Sequence, residues 1–351
     1  MKPNQTPANS GQNCRVCGVS GSGARKHQIR EMFFGTRERF TYVECSACGS
    51  LQIEEIPPDL SRFYPSNYYA LAAPAVRKES MAQRARYFLR GQLTLRQLGH
   101  PSPIGSLINT LHQGKDDLPE WLDRRYVNVR LDSRILDVGC GNGPLLANLR
   151  RYGFLRLEGI EPFIKAGIDF KTVKIHRTTL AEFEGVGYDL IMLHHVLEHL
   201  PEPSAAFGQL AKMLAPEGRL LIRIPVAGCY AWRHYGTNWV QLDAPRHLVL
   251  YTPSALQQVA KRFGLEMCGM YYDSTAFQFW CSEQYRQDIP LEDPSSVWHK
   301  KPLGVFAQEE MDEFNRKSKE LNQNQDGDQA VFYFKSCSPV FGNNSSSLVS
   351  Q

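Results

Sequence analysis

The stretch Ile135-Leu136-Asp137-Val138-Gly139-Cys140-Gly141-Asn142-Gly143-Pro144 constrains the fold of this chain more than any other. A short apolar run carries an acid, three glycines alternate, and a proline follows. Glycine accepts positive φ and leaves no Cβ in the way of a ligand. Proline suits the first position of a helix, where its missing N–H costs nothing. The pattern therefore predicts a strand, a tight turn and a helix N-terminus whose free N–H groups can face an anionic group.

The surrounding sequence repeats this alternation. Helices are predicted over 144–152, near 163–170, over 204–214 and over 253–263, the last capped by Thr252 and stopped by Gly264. Strands are predicted at 157–160, 188–193, 219–224 and 331–334, with Leu214-Ala215-Pro216-Glu217-Gly218 as a turn. Short buried strands alternating with amphipathic helices predict an α/β fold, a mostly parallel sheet covered on both faces. Ligands bind such sheets at the carboxyl ends of the strands. Glu161 stands at one of these ends, where a carboxylate can accept from both hydroxyls of a ribose.

The N-terminal part has a different logic. Of nine cysteines, four form the pairs Cys14-x-x-Cys17 and Cys45-x-x-Cys48, each followed by glycine, Gly18 and Gly49. Cys140, Cys229, Cys268, Cys281 and Cys337 are scattered. The two pairs predict a zinc ribbon over 12–56 whose four thiolates hold a structural Zn2+ and leave no position for substrate. A separable module is expected, so that metal removal unfolds the ribbon and spares cofactor binding. A helical connector is predicted over 57–130, the main α/β domain over 131–338, and disordered ends over 1–11 and 339–351.

No apolar run approaches the roughly 18 residues of a membrane span, and the polar start Met1–Ser10 lacks a secretory apolar segment. A cytoplasmic protein is expected. The net charge of +4 comes without a Lys/Arg block, so a nucleic-acid partner is not expected.

The glycine spacing is G-x-G-x-G, not the G-x-G-x-x-G of dinucleotide binding. Together with Leu193-His194-His195-Val196-Leu197-Glu198-His199-Leu200-Pro201 and the 214–220 segment, it resembles the class I S-adenosylmethionine-dependent methyltransferases from about Ser133 to Phe334. That resemblance implies a Rossmann-like seven-stranded sheet and S-adenosyl-L-methionine as cofactor. It implies that Asp137, Gly139 and Gly141 hold the methionine portion, with Cys140, Gly143 and His194 lining the same site. Glu161 would hold the ribose, and Thr179 and Leu180 would flank adenine, Thr179 standing where many relatives have Asp or Asn. His195-x-x-Glu198-His199 also matches a zinc-protease signature, but it follows a strand and Pro201 and Pro203 cut short any long helix. His195, at a strand end, and His247, in a Trp- and Tyr-rich acceptor lid near 229–252, are the candidate bases; Glu198 and His199 read as structural. A helical insertion is expected near 277–325.

A four-cysteine module ahead of such a domain resembles methyltransferases of deoxysugar, cell-surface polysaccharide and natural-product pathways. Ser61 to Tyr69, Pro245-Arg246-His247-Leu248 and Tyr251-Thr252-Pro253 carry that likeness. The C-methylating branch has Tyr-x-Glu-His or similar where this chain has Pro245-Arg246-His247, so O-methylation of a small molecule or sugar is expected. Sugar C- or N-methylation, RNA base methylation and a non-catalytic cofactor-binding scaffold stay open, as does the oligomeric state.

Overall fold

A computed structural model describes residues 13–20, 24–64, 76, 78–111, 118–299 and 305–337. The two ends read as disordered and the second half of the Ser61–Tyr69 stretch lie outside the described residues.

The connector contributes α1 (Met81–Gln97), opened by a Ser80 capping box with Gln83, and α2 (Pro103–Leu111). The main sheet then begins. Its parallel strands are β4 (Arg134–Val138), β5 (Arg156–Ile160), β7 (Val173–His176), β8 (Tyr188–His194) and β9 (Leu214–Pro225). Central β4 and β8 are buried over nearly their whole length, which is why they read as continuous apolar runs. β6 (Ile168–Asp169) pairs antiparallel at one edge. At the other side β12 (Gln329–Ser336) lies antiparallel between β9 and β11 (Leu265–Tyr272), giving the order β11-β12-β9-β8-β4-β5-β7-β6. Helices α3 (Pro144–Arg151), α4 (Pro203–Met213) and α6 (Pro253–Lys261) connect the strands. The mixed α/β sheet expected from the resemblance is present.

Three local expectations are corrected. The sheet has eight strands, not seven, because the segment expected as a helix near 163–170 instead bends and ends in β6. Gly167 and the short reach back to β7 leave no room for two helical turns. The 214–218 turn belongs to β9, which pairs Leu214 with Tyr188 and then shifts register so that Arg219 faces Leu190. A Cβ on Gly218 would lie 2.5 Å from the Tyr188 carbonyl oxygen, so only glycine lets the two backbones approach there.

The cysteine-rich segment forms β1 (Arg25–Arg30), β2 (Arg39–Glu44) and β3 (Leu51–Ile53), an antiparallel sheet. Its fourth strand is β10 (Val249–Leu250), just past His247. The Tyr42 hydroxyl donates to the His247 carbonyl, and the Thr252 hydroxyl, which caps α6, donates to the Cys48 carbonyl. Tyr42 and Leu51 share one apolar core with Leu248 and Tyr251. The ribbon and the main domain thus share this sheet, which β10 completes.

The 229–252 segment, expected as an acceptor lid, is largely buried. It holds α5 (Tyr230–Tyr235) and two 3-10 turns packed against α7 (Phe277–Arg286). Trp239 is 1% exposed and its indole N–H donates to Asp328, while the Val240 N–H donates to the Ser282 hydroxyl. The segment is a fixed wall. The helical insertion is present as α7 and α8 (Gln308–Gln323). No helix among the described residues is long and apolar enough to cross a membrane.

Candidate functional site

The glycine loop takes the shape its sequence requires. Gly139, Gly141 and Gly143 all have positive φ, at 70°, 52° and 83°. A Cβ on Gly139 would meet Val196 at 2.5 Å, and one on Gly143 would meet Ile175 at 2.6 Å. The turn is held by Gly139 N–H to the Ile160 carbonyl and Gly143 N–H to the Cys140 carbonyl. Pro144 then opens α3 with its N-terminus at the loop. The thiol of Cys140 points inward against Gly159, and burial pushes its pKa far up, so it is a neutral packing group.

Two acids flank this loop. Asp137 is 3% exposed, and among the described residues no donor reaches its carboxyl. Burial, then the charge of Glu161, pushes Asp137 up to about 8. Glu161 is raised by burial too, but the N–H groups of Gly141 and Phe163 donate to its two oxygens at 3.2 and 3.1 Å and hold it in place. A buried acid without a donor beside a cradle that admits no Cβ fits a ligand bearing a cation and a polar chain. The ammonium and carboxylate of a methionine moiety are such groups, with the carboxylate at the N-terminus of α3. The donor set thus fits S-adenosylmethionine.

On the expected adenine side, Thr179 spends its hydroxyl on Glu182 at 2.8 Å, and Leu180 is half-buried against the core. Phe163, two residues past Glu161, is 70% exposed and stacks on Tyr64 with ring centres 6.3 Å apart. Sequence reasoning passed over Phe163; an exposed aromatic directly after the acid was the available signal. A cavity of about 570 Å³ near β6 and β7 is lined by residues such as His176, Thr178 and Phe183 and includes no residue of the glycine loop.

The opposite side of the cleft is built by the end of β8. His194 packs edge-on to Trp121, its Nε2 without a hydrogen bond, and burial lowers it to about 3, so it is neutral. His195 follows at φ 55°, a strained conformation for a non-glycine residue, fixed by its N–H to the Arg223 carbonyl. Its ring is 34% exposed, with Nδ1 3.4 Å from Glu198 and Nε2 3.0 Å from the Arg223 guanidinium. Arg223 in turn grips Asp273 at 2.5 Å.

His247 is placed differently from what a base requires. It is 5% exposed, and its Nδ1–H donates to the Gln241 carbonyl at 2.7 Å. Its Nε2 faces inward, 3.6 Å from Asp243 and 4.0 Å from Glu198. His199 donates from Nδ1 to the Arg246 carbonyl at 2.9 Å, with the Tyr64 hydroxyl beside it. Burial lowers His199 to about 4. Glu198 is 0% exposed; burial opposes its charge, but the surrounding imidazoles outweigh this and its pKa is lowered. The structure thus brings His195, Glu198, His199 and His247 into one cluster, and joins Arg223 and Asp273 to it, neither of which the sequence marked.

At the far edge of the ribbon, Cys14 and Cys48 sulfurs are 3.7 Å apart and those of Cys17 and Cys45 3.6 Å. A tetrahedral zinc with bonds of about 2.3 Å separates its sulfurs by about 3.8 Å, so the four thiols match such an ion. The hydrogen bond from Cys14 pushes Cys48 down to about 4, while Cys14 is raised by the same bond.

A family model described as a methyltransferase domain matches residues 110–268. A ubiquinone biosynthesis O-methyltransferase of Xanthomonas oryzae pv. oryzae is 30% identical over 142 residues, 34% of this chain and 57% of the relative. The chain thus spans little more than half of that relative's length. A protein of the same name from Aeromonas salmonicida is 25% identical over 194 residues, 48% of this chain and 79% of the relative. Among solved structures, geranyl diphosphate C-methyltransferase from Streptomyces coelicolor A3(2) is 12% identical with a TM-score of 0.40, covering 78% of this chain and 88% of that one.

Proposed function

We propose that this methyltransferase domain transfers a methyl group from S-adenosylmethionine to a hydroxyl of a small molecule, with a sugar as the acceptor class that the cysteine pairs and the Pro245-Arg246-His247 segment suggest. The observation that carries the reading is the buried pair Asp137 and Glu161 around three positive-φ glycines. Asp137 receives the ammonium of the methionine moiety, the N-terminal turn of α3 its carboxylate, and Glu161 the ribose hydroxyls. Leu180 and Phe163 offer the apolar surfaces that an adenine needs. When bound, the cofactor supplies an electrophilic methyl group on a sulfonium.

Methyl transfer is an in-line displacement, so the protein contributes alignment, exclusion of water and a destination for the acceptor proton. His195 is the base in this reading. It sits at the cleft end of β8 and is accessible, and Glu198 fixes its Nδ1–H side. Arg223, which meets Nε2, must turn toward Asp273 as the acceptor hydroxyl arrives. Buried His247 is a positioning residue instead. The four cysteines hold a structural zinc that fixes the wall next to the acceptor. The O-methyltransferase names of the two relatives agree with a hydroxyl acceptor.

Incubation with methyl-labelled S-adenosylmethionine and fractionated small molecules, glycans, RNA and protein tests this. Label in a hydroxylated small molecule or sugar is the expected result. Label in RNA or protein alone would overturn the acceptor class.

A further inference from the structure

We propose that Glu198, His199 and His247 form a second metal site, for a divalent cation such as Zn2+ or Mn2+, beside His195. The inference rests on the methyltransferase reading for its use, and on geometry alone for the site.

Glu198 is fully buried, and its carboxylate has only the His195 Nδ1 at 3.4 Å and the His247 Nε2 at 4.0 Å facing it, neither within a normal hydrogen bond. A buried carboxylate is costly unless it is paired or ligates a metal. Both neighbouring imidazoles are arranged as metal ligands usually are. His247 donates its Nδ1–H to the Gln241 carbonyl and His199 its Nδ1–H to the Arg246 carbonyl. Such bonds fix the tautomer and leave the Nε2 lone pair for a cation. One donor atom from each of the three residues lies within 4.8 Å of the others. Ligands on one ion with bonds of about 2.0–2.1 Å stand about 3.3 Å apart, so metal binding draws the three side chains inward by about an ångström.

The donor set decides the kind of site. Two imidazoles and one carboxylate make a three-ligand site, which keeps a position open, unlike the closed four-cysteine set of the ribbon. An N/O set suits Zn2+, Mn2+ or Fe2+ rather than the ions that soft thiolates select. Asp243, 3.6 Å from the inward nitrogen of His247, is held by Arg246 and stays outside the ligand set. A cation there lowers the cost of ionising a hydroxyl held beside it, and His195, against Glu198, lies next to the site to take the proton.

Three paths pass through the cluster's support. Leu248 N–H donates to the Glu198 carbonyl, Tyr42 bonds the His247 carbonyl, and Tyr64 meets His199. Tyr42 belongs to the cysteine-rich sheet, Leu248 directly precedes the strand that completes it, and Tyr64 follows the segment in sequence. The ribbon thereby shapes the second site without sharing a ligand with it.

The test is metal analysis of the full chain after dialysis against Co2+, Mn2+ or Zn2+ and removal of free ion. Wild type is expected to hold two ions per chain. With Co2+, the ribbon ion shows thiolate charge-transfer absorption and the second ion only weak ligand-field bands. Glu198→Gln and His247→Asn are expected to fall to one ion, with thiolate absorption and S-adenosylhomocysteine binding retained. One ion per chain in wild type with every cation overturns the site, and so does a second ion that survives in the double variant. Should either variant fail to fold, the wild-type stoichiometry and cobalt spectrum decide alone. Cofactor binding separates the two readings: two ions with no S-adenosylhomocysteine bound sinks the methyltransferase role and leaves the site, and the converse sinks only the site.

Discussion

The Tyr42 hydroxyl donates to the main-chain carbonyl of His247 at 2.8 Å, joining the cysteine-rich sheet to the 229–252 segment. Tyr42 is fully buried, and β10, which begins two residues past His247, is hydrogen-bonded to β3. The position of His247 is therefore tied to a sheet encoded some two hundred residues earlier.

That dependence predicts a split phenotype. Cys17→Ser should lose the ribbon zinc and most methyl transfer yet still bind S-adenosylhomocysteine, since the glycine loop makes no contact with the cysteines. Tyr42→Phe should lower stability by about 1 kcal/mol, a typical value for one buried hydrogen bond. Zinc content, calorimetry and thermal melts check both. Loss of cofactor binding in Cys17→Ser would refute the separation.

Asp137 predicts a pH dependence. Its folded pKa, about 8, lies above the 3.8 of a free aspartate. The folded chain thus binds the extra proton between these values, and this contribution to stability fades as pH rises toward 8. A ligand ammonium favours the anion, so binding must expel that proton below about pH 8. Affinity for S-adenosylhomocysteine should rise with pH and level off near 8, with binding heats that depend on the buffer. Asp137→Asn should bind weakly and lose the slope. A wild-type affinity flat with pH would contradict the assignment.

Gly139→Ala combines a left-handed conformation, costing about 1–2 kcal/mol, with a methyl group 2.5 Å from Val196. The variant should melt lower and bind cofactor at least tenfold more weakly. A thermal melt and a titration measure the two effects. Unchanged values for both would mean that the loop is not under the constraint described.

His195→Ala should lower kcat by about 10²–10⁴ while leaving S-adenosylhomocysteine affinity unchanged, as expected for loss of a general base. His247→Ala should lower stability as well as turnover, because it also removes the donor to the Gln241 carbonyl. Steady-state kinetics and melts on the two variants distinguish base from positioning residue. Full turnover in His195→Ala would end its role.

What the sequence revealed was what local chemistry dictates. Alternating glycines state their φ requirement directly, and C-x-x-C pairs state their ligand geometry, so the loop and the ribbon were legible. Strand β11 was not, because its pairing with β12 carries a register shift at Gly269, where the Tyr126 ring leaves no space for a Cβ. The 163–170 segment was apolar enough for a helix, but its conformation follows from the edge pairing of β6. The cluster at Glu198 was invisible for a related reason. His199 is adjacent in sequence, but His247 and Arg223 arrive from other elements, and only the packed wall shows that His247 turns its Nε2 inward.

The central claim is that the Gly139–Gly143 loop with Asp137 and Glu161 is an S-adenosylmethionine site. Calorimetric titration of wild type and Glu161→Ala with S-adenosylhomocysteine tests it most directly. The account predicts one ligand per chain in wild type and at least tenfold weaker binding in Glu161→Ala, the loss expected when hydrogen bonds to a charged group go. Absence of binding by wild type, or equal affinity in the two proteins, would contradict it.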